Sequence, residues 1–184
     1  MDRKNDNRRA IEIGDVRGMP VLRRETGEKI GDVSDVLIDT SSGNVLGLEI
    51  KGHGGELLGM DARNVLIGRD AVMASAVEGF DPEASASRLR SGTRAAHDLK
   101  GTGVVTEDGQ FLGRIDEVYL SLDEPRAFYR VVESTIQRFL GRGFFLPGDV
   151  LRAYSPEGPR MIVPSDVDRF AAGTLDELIG AETH

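Results

Sequence analysis

The residues of this chain best suited to chemistry are its carboxylates. Asp32, Asp35 and Asp39 fall close together, and Asp116 and Glu117 stand side by side. Carboxylates gathered like this could hold a hard cation or share an acid–base step. The competing reading is a solvated strand face with turn carboxylates, and no flanking loop has the spacing of a calcium site. The three histidines, His53, His97 and His184, are far apart, and none has a second histidine at ligand spacing, so no metal ligands are assigned. Gly52, His53, Gly54 and Gly55 read as a flexible loop, without the spacing or the lysine of a phosphate-binding loop. No serine sits in a nucleophile elbow. Cysteine is absent, which excludes disulfides, thiolate metal sites and a cysteine nucleophile. The expectation is a protein without catalytic, metal-ligating or cofactor-binding residues, and not an enzyme.

A different chemistry, that of docking, is written in the distribution of aromatics. Every Phe and Tyr lies from Phe80 onward. Residues 134–148 read STIQRFLGRGFFLPG, with Phe139, Leu140, Phe144 and Phe145 beside Arg138 and Arg142. A loop this apolar either folds back on its own domain or presents a docking patch. Aromatics with arginine are what interface centres favour. Arg138, Phe139, Leu140, Arg142, Phe144 and Phe145 are therefore the expected partner-binding residues. Core packing competes for Phe145 and Leu146, which are matched with Leu57 and Leu58 of an earlier segment.

The elements that position these residues repeat. Residues 25–39 read ETGEKIGDVSDVLID and residues 107–121 read EDGQFLGRIDEVYLS. Glu25, Gly27, Gly31 and Val36 match Glu107, Gly109, Gly113 and Val118. Thr26-Gly27 and Asp108-Gly109 sit between β-prone stretches and predict hairpins. The alternation across Val33, Ser34, Asp35 and Val36 is imperfect, as at a bulge. Each copy ends in a late hairpin, around Gly68-Arg69-Asp70 in the first and Ser155 to Gly158 in the second. Short strands at regular spacing predict a mainly β chain of two tandem small barrels.

Each barrel is followed by a short helix. Asp81-Pro82-Glu83 supplies a cap, an N1 proline and an early acid. Ser165 and Asp168, then Thr174 and Glu177, form capping patterns near the C-terminus. The organisation expected is a first barrel over 11–80, a helix and linker over 81–98, a second barrel over 99–164, and a helical segment over 165–184. The barrels are expected to pack through Leu89, Phe80 and the C-terminal helix.

The 184 residues are 39% hydrophobic and 29% charged, with 23 glycines, a globular mix rich in turns. The formal net charge of -8 argues against direct nucleic-acid contact. No apolar run approaches the ~20 residues that cross a bilayer. The start lacks the apolar core of a signal peptide. The expected location is cytoplasmic. Arg3, Lys4, Arg8 and Arg9 near the N-terminus could meet an anionic membrane surface, against the competing reading of a solvated tail.

The stretch GEKIGDVSDVLIDTSSGNVLGLEI resembles the opening of the PRC-barrel family, and GQFLGRIDEVYLSLDEPRAFYRVV resembles a more divergent copy. The family includes the cytoplasmic part of the photosynthetic reaction-centre H subunit and the C-terminal domain of the ribosome maturation factor RimM. The resemblance implies a docking barrel without an active site. The function expected is a non-catalytic protein-binding adaptor or accessory subunit whose partner is another protein or complex. Two settings follow from the family: the cytoplasmic side of a photosynthetic reaction-centre complex, or ribosome assembly.

Overall fold

Short β-prone runs punctuated by glycine and aspartate build two sheets of seven strands each in the computed structural model. It describes residues 9–75, 81–91, 93–133, 143–155, 157–158 and 160–181. The first sheet runs in the order β5 (Leu57–Asp61), β4 (Val45–Gly52), β3 (Lys29–Ile38), β2 (Pro20–Arg23), β7 (Val72–Ala74), β6 (Val65–Ile67). The second runs β12 (Phe144–Pro147), β11 (Ala127–Val132), β10 (Phe111–Ser121), β9 (Gly103–Thr106), β14 (Arg160–Val163), β13 (Ala153–Ser155). The two orders are the same, so the duplication read from the sequence is a duplication of topology. Gly27 and Gly109 both hold positive φ in the opening hairpins, as their turns require. The expected bulge is present in both copies, between Val33 and Asp35 and between Ile115 and Glu117.

Neither hydrogen-bonded path closes on itself. Between β5 and β6 the chain makes a 3-10 turn over Ala62–Asn64, capped when the Asp61 side chain accepts from the Arg63 amide. That cap turns the backbone out of the extended conformation, so the barrel curls without a complete ladder.

Leu89 does not join the halves. They exchange the segments that precede each copy. β1 (Ala10–Glu12) pairs with β10 of the second sheet, and β8 (Arg94–Ala95) pairs with β3 of the first. The registers are equivalent: Glu12 faces Tyr119 as Ala95 faces Leu37. α1 (Ile13–Val16) and the 3-10 turn Ala96–Leu99 follow these strands and carry Ile13, Val16, Ala96 and Leu99 into the core. A second reciprocal contact ties the turns. The Val45 amide donates to the Pro125 carbonyl at 2.7 Å, and the Ala127 amide donates to the Gly43 carbonyl at 2.9 Å. Asn44 bridges Arg126 between them. One apolar cluster runs through both halves, from Val21 and Val36 to Val104 and Val118. The core is thus continuous and pseudo-two-fold at once. The stretch expected as a linker is part of the fold.

Leu89 is buried, but against the first sheet, where it lies beside Gly47. Phe80 lies outside the described residues. α2 (Pro82–Arg90) begins where expected, with the Glu83 amide donating to Asp81 at 3.0 Å. Near the C-terminus only the second capping pattern nucleates a helix. Residues Val167–Arg169 make one 3-10 turn, and α3 (Leu175–Ala181) starts behind a capping box of Thr174 and Glu177.

Strand pairing also resets one alignment of the copies. Leu58 and Gly59 pair with Ile50 and Glu49, while Phe144 and Phe145 pair with Val131 and Arg130. The counterpart of Phe144 is therefore Leu58, and that of Phe145 is Gly59. The expected match of Phe145 and Leu146 with Leu57 and Leu58 is out of register. A bulge at Leu46 and the unequal numbers of residues before β5 and β12 hide the true alignment.

Candidate functional site

The carboxylates do not converge. Asp35, Glu49, Asp116 and Glu117 are buried, which corrects the reading of a solvated face, and each faces a cation. Asp35 lies 3.7 Å from Arg17, Lys100 lies 2.7 Å from Glu117, Arg90 reaches Glu49, and Arg130 reaches Asp116. Asp35 and Glu117 occupy equivalent positions, and each accepts from the amide of the valine that follows it. Burial pushes Asp35 above the usual carboxylate range, against the Val36 and His97 amides and Arg17, which favour its charge. Asp32 pairs with Lys29, and Asp39 accepts from Ser41 and Ser42. These are supports for bulges and turns. Among the described residues no group of His, Cys, Asp and Glu is gathered as a metal would need.

The outer faces of the two sheets carry the main difference between the copies. In the first, Gly47 and Gly59 floor the face. A Cβ on Gly59 would overlap the Ala86 backbone of α2, and one on Gly47 would overlap the Leu89 side chain. The absence of those carbons lets α2 lie directly on the strands, with Ser85, Ala86 and Leu89 buried and Arg90 bonded to Glu49. In the second copy the same strand positions hold Phe128 and Phe145, and Tyr119 replaces Leu37. Tyr119 and Phe145 meet edge to face at 5.7 Å. They form a separate apolar cluster with Ala10, Phe128 and Leu178, against which Leu175 and Ile179 pack. α3 rests on this aromatic layer instead of on backbone, and among its described side chains only Leu178 is buried.

Beside α3 the face stays open. A cleft of about 740 Å³ lies between α3 and β1, with Ile11, Tyr119, Leu122, Leu175 and Ile179 in its lining. The Tyr119 hydroxyl donates to Glu12 at 3.1 Å, and burial pushes its pKa up to about 12, so it stays protonated.

The turn contacts show the same asymmetry. Gly43 approaches Gly148 so closely that a Cβ on either would overlap the other's backbone. By register the opposite contact places Pro125 and Ala62 at those positions, and their side chains hold the surfaces apart. A second, mostly apolar groove of about 240 Å³ opens there, lined by Val65, Leu66, Ile67 and Leu122. Leu66 is 57% exposed. Leu122 lines both hollows, so they form one surface across the two halves.

Of the expected partner-binding residues, Arg138, Phe139, Leu140 and Arg142 lie outside the described residues. Phe144 and Phe145 are half-buried on β12: Phe144 packs on the shared core, and Phe145 supports the layer under α3. Ile11, Leu66, Tyr119 and Leu122, which line the two hollows, look like ordinary strand residues in the sequence. The usable signal was the concentration of aromatics in the second copy.

Among the described residues no helix is long and apolar enough to cross a membrane. No curated protein matches the chain. A solved structure from Pseudomonas aeruginosa, described as a 16S ribosomal RNA processing protein RimM, is similar over 74% of this chain and 99% of its own. Its sequence identity is 17% and its TM-score 0.32. The PRC-barrel domain matches residues 9–80 and again residues 91–170. With two matches that between them take in most of the sequence, and with the same strand order in both halves, the chain belongs to the PRC-barrel family.

Proposed function

We propose that the chain is a non-catalytic adaptor that docks another protein in the groove around Leu122. One observation carries this reading: two sites that are filled in one half of a pseudo-symmetric molecule stand open at their counterparts. Burying apolar side chains there would gain roughly 25 cal/mol per Å² removed from water. The buried carboxylates, each held by a cation, serve the fold. Docking on a photosynthetic membrane complex or on a ribosome-assembly particle would both use this surface. The acidic balance favours a protein contact over RNA in either setting.

The test is affinity isolation from the native organism with the natural chain and with a Leu66→Asp, Leu122→Asp double variant. A partner enriched by the natural chain and lost with the variant is expected. Identical sets of proteins, with the variant folded by circular dichroism, would contradict the proposal.

A further inference from the structure

The groove also indicates what it binds, on the footing that it is a docking site. We propose that its occupant is an amphipathic segment of a partner protein, with an apolar face and flanking positive charges.

The apolar half of this statement follows from the floor. Tyr119, Leu122, Leu175 and Ile179 offer carbon surface in the larger hollow, and Leu66 and Ile67 extend it in the smaller. Residues 1–8 and 182–184 do not match that floor in composition. Residues 1–8 are polar apart from Met1, and residues 182–184 are Glu, Thr and His.

The charged half follows from the rim. Glu12, Asp15 and Asp176 border the larger hollow, and Asp123 and Glu124 border the smaller. Three cations share these linings, Arg9 and Arg69 in the larger hollow and Arg63 in the smaller, against five carboxylates. Arg63 is held by both oxygens of Asp61, each at 3.0 Å, and Arg69 is already engaged. An acidic rim around an apolar floor selects a cationic partner and repels an anionic one. The first half displays this kind of ligand on the equivalent face. α2 turns Ala86 and Leu89 inward and carries Arg88 and Arg90 in its last turn, with Arg90 bonded to Glu49. The helix-in-groove mode needs these ingredients.

The test uses the full chain labelled with nitrogen-15 and three synthetic peptides. One has leucine at helical spacing with lysine between, the second has glutamate in place of lysine, and the third has the lysine composition with the spacing scrambled. The first should shift amide signals around Tyr119, Leu122 and Leu66. Leu122→Asp and the charge reversal Asp176→Lys should each weaken it by about tenfold. The acidic and scrambled peptides should shift none of these signals.

Equal binding of the lysine and glutamate peptides would overturn the charge assignment and leave the docking reading standing. Shifts confined to other faces would overturn the proposal, while partner isolation continues to test the adaptor reading by itself. Concentration-dependent dimerisation abolished by Leu66→Asp would make a second copy the occupant and overturn it too.

Discussion

The two outer faces show how few positions convert a closed surface into an open one. Gly47 and Gly59 in the first half, Phe128 and Phe145 in the second, sit at the same places on the same strands. Without side chains the strands accept a helix at backbone distance, and α2 buries Ser85, Ala86 and Leu89. With two phenyl rings the following helix stands on an aromatic layer and leaves a cleft at its edge. The turn contact repeats the lesson: glycine against glycine closes a gap that proline and alanine leave open. The asymmetry does not come from topology, which is shared, but from side-chain bulk at a few equivalent positions.

The first way to break the comparison is to remove the aromatic layer. Phe128 is 1% exposed, and Phe128→Ala should cost about 4 kcal/mol in chemical denaturation, from lost transfer energy and the cavity left behind. The second is to give the first half the ring of the second. Gly59→Phe should cost about 3 kcal/mol, because its side chain must displace α2, and proteolysis should then cut within residues 81–91. A smaller effect sharpens the comparison within the core. Tyr129 sits where the first half has Leu48, and its buried hydroxyl has no protein partner among the described residues. Tyr129→Phe should leave stability unchanged or raise it by about 1 kcal/mol in the same assay.

The smallest effect is on pH dependence. The Arg63 hydrogen bond lowers the pKa of Asp61, so its contribution is complete above the ordinary carboxylate pKa and is lost as pH falls through the lowered one. Burial raises the pKa of Asp35, so its contribution is present below the ordinary carboxylate pKa and is lost as pH rises through the raised one. The melting temperature should therefore contain a component that declines as pH rises above about 4. Asp35→Asn should remove that component, and a scan of melting temperature against pH checks it.

The repeat, the bulges, the hairpins and the caps of α2 and α3 were legible because each is local. Gly27, Asp81 and Thr174 act on neighbours within a turn. The exchanged strands were not legible, since β1 and β8 are too short to show periodicity and both pair with the other half. The open groove was the least legible. Equating Gly59 with Phe145 needs strand register, which the bulge at Leu46 and the longer sequence between β11 and β12 conceal. The concentration of aromatics points to the second half, where Tyr119 and Leu122 line the proposed groove.

The most direct measurement places a photo-crosslinking amino acid at two equivalent positions, Thr40 in the first half and Leu122 in the second, and irradiates cells of the native organism. The account predicts a discrete protein adduct from position 122 and none from position 40. Equal adducts from both positions, or none from position 122 while the protein remains folded, would contradict it.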